Sequence, residues 1–252
     1  MKNISDVHHL FLAVCFIGLA GFSCQKAGPT ETDVPKKELQ LRSAITLPFT
    51  EPSGIAFSES MQKMWVVSGG DQHIYRLDTA GHVEYQLAYK GTDLEGIAFE
   101  PADSTLWIVD EASKEIVHLD LNGNVLFRKA LSYQSNPNKG PEGITIGRDH
   151  ALFIINESDP SVMFQLDSTY SIAKTFTLNF ASDYSDVTYE PMTDSFYILS
   201  DESNGFYSWN TQQGALMKYV LPDSKNEGIA FDRTRNRFYI VNDASAKLAV
   251  YQ

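Results

Sequence analysis

Five positions along the chain place an acid or a hydroxyl directly before a small residue that opens a short apolar segment. They are Ser53, Glu95, Glu142, Ser185 and Glu227, followed in turn by Gly54, Gly96, Gly143, Asp186 and Gly228. A second set closes the next apolar run in each case: Ser68-Gly69, Asp110-Glu111, Asn156-Glu157, Ser200-Asp201-Glu202 and Asn242-Asp243. The donors are oxygens, with no thiol or imidazole among them. Such a set suits a hard cation of the Ca²⁺ type, whereas zinc takes nitrogen and sulfur. Glu95, Glu142, Glu227, Glu111, Glu157, Asp201 and Asp243 are therefore the candidate metal ligands. Gathering them costs energy, since two unit charges about 8 Å apart at an effective dielectric of about 20 repel by roughly 2 kcal/mol, and a bound cation removes that repulsion. Lys90, Lys139 and Lys225 come shortly before the same apolar segments and, with Asp186, are candidates for contacting a small anionic ligand. His73, His82 and His118 read as strand or turn positions, and His150 as a turn at the opposite end.

These residues form a site only if the fold brings them together, and a repeat does so. The small residues 54, 96, 143, 186 and 228 are spaced by 42, 47, 43 and 42. Each is followed in fixed register by an apolar run centred on an aromatic, at Trp65, Trp107, Phe153, Tyr197 and Tyr239, a slot that reads as core packing. A third segment ends at Asp78, Asp120, Asp167, Asn210 and Gln252, each 24 residues after its marker. Four short strands at this period predict an all-β, five-bladed β-propeller of four-stranded antiparallel blades.

The fifth repeat is one strand short at Gln252, and residues 38–47 are expected to supply that strand, because Leu47-Pro48 precedes Gly54 at the distance at which Leu221-Pro222 precedes Gly228. In an antiparallel meander the start of the first strand and the end of the second lie at one end of the blade. Both sets of acids are thereby predicted at one mouth of the central channel. A structural reading exists beside this one: glycine at the start of an inner strand reflects tight packing near the axis, and a preceding Glu can simply bond backbone amides of the next blade. Asp78 and Asp120, within Asp-Thr-Ala-Gly and Asp-Leu-Asn-Gly, read as turn formers. Ser132 to Pro141 lengthens the third repeat and is a candidate binding lip.

Ahead of the repeats, Lys2 precedes a 13-residue apolar run from Leu10 to Phe22, too short to span a bilayer as a helix. Residues 1–24 read as an export signal. Gly21-Phe22-Ser23-Cys24 resembles a lipobox, which makes Cys24 the expected lipidation site and the outer membrane, on its periplasmic or surface face, the expected location. Gly21 and Ser23 also fit ordinary cleavage, and a buried N-terminal helix is a third reading. Residues 25–37 have the composition of a solvated tether, leaving 38–252 as a single domain. With Cys15 and Cys24 the chain's 2 cysteines, that domain has no disulfide. The net charge of −12 disfavours nucleic acid as a partner.

Ser53-Gly54-Ile55-Ala56-Phe57, Glu95-Gly96-Ile97-Ala98-Phe99, Glu142-Gly143-Ile144-Thr145, Ser185-Asp186-Val187-Thr188-Tyr189 and Glu227-Gly228-Ile229-Ala230-Phe231 resemble successive repeats of the SdiA-regulated family. Asn138-Lys139-Gly140-Pro141-Glu142 and Leu199-Ser200-Asp201-Glu202-Ser203 are similar to its segments as well. Asp186 departs from the pattern, because that family usually has glycine there, which leaves the backbone of that turn in question. The resemblance implies an exported or membrane-associated propeller, sometimes linked to calcium and distantly similar to phytase-type propellers. It implies no settled reaction. The expected function is a calcium-dependent binding propeller, its mouth holding a small anion or a protein. A phytase-like or lactonase-like hydrolase is the alternative, and a scaffold without a ligand the third reading. No nucleophile elbow, histidine metal cluster or phosphate-cradling glycine loop occurs.

Overall fold

A computed structural model describes residues 33–58, 60–136 and 139–252, so the leader, Cys24 and most of the segment read as a tether lie outside the described residues. Two short strands come first, β1 (Lys36–Glu38) and β2 (Leu41–Thr46). The first blade is β3 (Pro52–Phe57), β4 (Lys63–Ser68), β5 (His73–Asp78) and β6 (Val83–Lys90). The second is β7 (Leu94–Glu100), β8 (Thr105–Asp110), β9 (Glu115–Leu119) and β10 (Val125–Ala130). The third is β11 (Pro141–Ile146), β12 (Leu152–Asn156), β13 (Val162–Leu166) and β14 (Ile172–Thr177). The fourth is β15 (Asp186–Glu190), β16 (Ser195–Ser200), β17 (Gly205–Asn210) and β18 (Gly214–Val220). In the fifth, β19 (Asn226–Asp232), β20 (Arg237–Asn242) and β21 (Lys247–Tyr251) are completed by β2, antiparallel to β21 with Ile45 opposite Leu248. The five-bladed propeller closed by its N-terminal strand is the predicted architecture.

The inner strands pack in a ring, β3 on β7, β7 on β11, β11 on β15, β15 on β19 and β19 back on β3. Their approach explains the glycines. A Cβ on Gly54 would lie 2.4 Å from the Glu95 carbonyl oxygen, and one on Gly96 2.4 Å from that of Glu142. Asp186, in the equivalent place on the fourth blade, keeps ordinary strand pairing opposite Leu199 and has no positive φ. The core lies between blades: Trp65, Val67 and Ile74 of the first pack with Ile97, Leu106 and Ile108 of the second. The second strand of a blade touches a neighbouring sheet on each face, which is why β8 is buried along its whole length while the outermost β10 is largely exposed. Trp65, Trp107, Phe153 and Tyr239 are buried, and Tyr197 is half-buried.

The turn reading holds in detail. Oδ1 of Asp78 accepts from the amides of Ala80 and His82, Oδ1 of Asp120 from Asn122 and Asn124, and Oδ1 of Asp167 from Thr169 and Ser171. The tether reading fails at its C-terminal end. β1 runs parallel to β18 and gives the fourth blade a fifth strand, with Lys36 opposite Lys218, and Val34 is buried against the third and fourth blades. Average composition registers neither an unpaired sheet edge nor one buried valine.

Candidate metal centre at the channel mouth

Where each inner strand begins, its blade's second strand ends, with Leu94 opposite Asp110 and Asn226 opposite Asn242. The last residue of the second strand and the one after it have separate duties. Ser68, Asp110, Asn156, Ser200 and Asn242 are buried and bond the adjacent loops. Asp110, for instance, accepts from the amide and hydroxyl of Thr92 and from Ser113; burial opposes its ionisation, but these bonds hold its pKa below the usual carboxylate value. The following residues, Gly69, Glu111, Glu157, Asp201 and Asp243, line a cavity of about 310 Å³ together with Ser53, Glu95, Glu142, Ser185 and Glu227. All seven candidate metal ligands therefore share one cavity. Eleven of its 15 lining residues are Asp or Glu, and Lys225 is its one basic lining residue among those described.

Four of those acids, Glu51, Asp93, Asp183 and Glu202, were not among the candidate ligands, although Glu202 belongs to the second set expected at this mouth. Three of them were legible in a further register. The position three before each marker is Glu51, Asp93, Gly140, Asp183 and Lys225, an alignment as regular as the one that exposed the glutamates. Lys225 and Lys139 do not stand free for an anion. The Lys225 ammonium is 2.7 Å from Asp201 Oδ2, and that of Lys139, outside the lining, is 2.7 Å from Glu157 Oε1. Lys90, at the end of β6, also lies outside the lining.

The tightest grouping is Asp93, Glu95 and Glu111, each of which offers an oxygen within 4.8 Å of the others. Backbone bonds hold the cluster: the Glu111 amide donates to the Asp93 carbonyl at 2.8 Å, and the Gly140 amide to Glu111 Oε1 at 2.8 Å. Burial, then the neighbouring Asp93 charge, pushes Glu95 up to about 8. Burial raises Asp93 and Glu111 as well, with Asp110 adding to the first and Asp93 to the second. Across the mouth, burial and then Asp201 push Glu227 up to about 7, while Glu142 is raised by burial and by Glu95. The acids are thus crowded, half-buried and reluctant to ionise together. A donor set of carboxylate oxygens in that state fits a hard divalent cation, which stabilises the ionised forms that the fold alone disfavours.

Asp186 stands one layer deeper. Its Oδ2 accepts from the amide of Ile229 on the fifth blade at 2.8 Å, and its Oδ1, fully buried, has no hydrogen-bond partner. Burial holds its pKa well above the ordinary aspartate value, against the pull of the Ile229, Val187 and Ile55 amides. Residues before the marker line the acidic cavity and residues after it line a narrow shaft, so the layer of glycines and Asp186 separates the two.

The sequence model of the family described as SdiA-regulated matches residues 36–227, most of the ring. The chain belongs to the SdiA-regulated family. No curated protein matches this SdiA-regulated sequence. Among solved structures, the glutaminyl cyclase of Myxococcus xanthus resembles it with a TM-score of 0.68 at 9% identity, over 87% of this chain and 97% of that one. A catalytically inactive virginiamycin B lyase from Staphylococcus aureus, solved with quinupristin, gives 0.51 at 18% identity over 82% and 68%. A streptogramin B lyase gives 0.51 at 17% over 84% and 72%. At such identities the likeness extends to the SdiA-regulated protein's fold alone.

Proposed function

We propose that this SdiA-regulated protein is an exported, lipid-anchored binding propeller that takes up Ca²⁺ at its acidic mouth and, through the ion, holds a small anionic ligand or a protein partner. The observation that carries the proposal is the convergence of eleven carboxylates on one cavity, with oxygens of Asp93, Glu95 and Glu111 within 4.8 Å of one another. When bound, the ion supplies positive charge for an anion to meet. The chain's own residues hold that place open: Gly140 orients Glu111, Thr92 and Ser113 orient Asp110, and Lys225 offsets Asp201. Export and anchoring rest on the apolar run from Leu10 and on Cys24. Among the described residues no helix is long and apolar enough to cross a membrane.

Calorimetric titration of the purified chain with CaCl₂, beside melting curves with and without chelator, tests the metal. Saturable heat and a melting temperature that rises with calcium are expected; no response at millimolar calcium defeats the proposal. Radiolabelled palmitate should enter the wild-type chain expressed in bacteria and not Cys24→Ala, and equal labelling would refute the anchor.

One observation favours a second reading, a calcium-dependent phytase-like or lactonase-like hydrolase. Glu227, at about 7, has the protonation poise of a general acid or base at neutral pH, with the Lys225 ammonium on the same cavity. Phosphate release from phytate, or lactone opening, that requires calcium and disappears in Glu227→Gln would support it. Turnover unchanged by that substitution would exclude it.

A further inference from the structure

The opposite end of the channel has the reverse character. The residue three after each marker is Phe57, Phe99, Ile146, Tyr189 and Phe231, and all of them are half-buried around the axis. The first four line a concavity of about 570 Å³, within the range of small-molecule sites. That concavity continues into the shaft, which Phe231 and the residues just after the markers line. The far end of the shaft meets the layer of Asp186 and the glycines. Among the described residues Asp149 is the one carboxylate in the lining.

The rim carries basic side chains with different partners. Arg148 Nε is 3.5 Å from Asp194 Oδ1, and His150 Nδ1 is 2.8 Å from Glu100 Oε1, so both have acidic partners. Arg233 lines both the concavity and the shaft, and among the described residues its side chain has no ion-pair or hydrogen-bond partner. Guanidinium binds carboxylate in a planar two-point geometry, and aromatic rings present flat apolar faces to an aryl or acyl body. Met61, in the same lining, is a side chain that adapts to varied apolar shapes.

The geometry points to a second ligand site here, for a monoanionic amphiphile: an aryl or acyl carboxylate whose apolar part lies within the ring of Phe57, Phe99, Ile146 and Tyr189 and whose charge meets Arg233. Such a ligand is repelled from the other mouth, where eleven carboxylates gather. The site is independent of the metal.

Calorimetry of the full chain with 2-naphthoate, and with its neutral amide as a charge control, tests this in chelator. Saturable one-to-one binding of naphthoate is expected, at least about tenfold tighter than the amide. Arg233→Met should weaken naphthoate by about tenfold and leave the amide unchanged, and Phe99→Ala should weaken both. If Phe99→Ala fails to fold, Met61→Ser replaces it, with the same expectation. Glu111→Gln at the opposite mouth should alter neither affinity. Absence of naphthoate binding overturns the proposal, as does binding indifferent to Arg233→Met and to the apolar substitution.

Discussion

The carboxylate of Asp186 on the fourth blade and the backbone amide of Ile229 on the fifth are joined by a 2.8 Å hydrogen bond at the propeller axis. Four of the five marker positions are glycine, and the fifth sends its side chain into the space they leave. Asp186 Oδ1 lies where a Cβ on Gly143 would approach to 2.8 Å, so the aspartate occupies room that only glycine neighbours provide.

That arrangement makes Asp186 a source of pH-dependent stability. Its folded pKa is raised by burial, so its neutral form is favoured in the fold, and stability is lost as pH climbs from the unfolded value toward the folded one. Asp186→Asn retains an acceptor for Ile229 and carries no charge. Urea denaturation at pH 4, 6 and 8 should show the variant gaining on the wild type as pH rises, by at least about 1 kcal/mol at pH 8. A constant difference across the series would contradict this account.

The mouth acids act in the same direction. Glu95 and Glu227 ionise at about 8 and about 7 in the folded chain against 4.5 in the unfolded one, so their contribution to stability falls between pH 4.5 and 8. In chelator the melting temperature should drop by more than about 5 °C between pH 5 and pH 8. Millimolar Ca²⁺ should recover most of the loss, because the cation binds the ionised carboxylates and is linked to the folded state. A melting temperature flat from pH 5 to 8 would show that these acids do not titrate as the geometry implies.

Asp93, Glu95 and Glu111 should dominate affinity for the ion. Asp93→Asn and Glu111→Gln are each expected to weaken calcium binding by about tenfold or more. Glu84→Gln, an exposed acid paired with Lys63 and Arg76 on the outer strand β6, should have no effect. Equal effects of all the substitutions, read by calorimetry, would mean diffuse electrostatic attraction rather than a site.

Val34 anchors the segment ahead of the ring. Buried at 4% exposure beside Trp209 and Ala215, it ties β1 to the fourth blade. Val34→Ala should cost about 1–3 kcal/mol in urea denaturation. No measurable loss would show that residues 33–38 rest on the domain without stabilising it.

The order of residues along the chain was enough to determine blade number, the strand that closes the ring and the end of the channel where the acids gather. Each blade repeats its own local solution of glycine, aromatic strand and capped turn, so a one-dimensional register reports it directly. The match of Leu47-Pro48 to Leu221-Pro222 carried the closure for the same reason. What depended on the tertiary structure was proximity between residues of different strands and blades. Asp93 joins Glu95 and Glu111 because the entry to β7 and the exit from β8 lie side by side, and which of Asp110 and Glu111 faces the cavity is decided where the strand ends and its alternation stops. Asp186 meets Ile229, and Phe57 and Phe99 share a pocket with Tyr189, because closing the ring brings to one axis side chains that lie a blade or more apart in sequence. Spacing along a chain encodes which residues are equivalent; only packing around the axis makes equivalent residues neighbours.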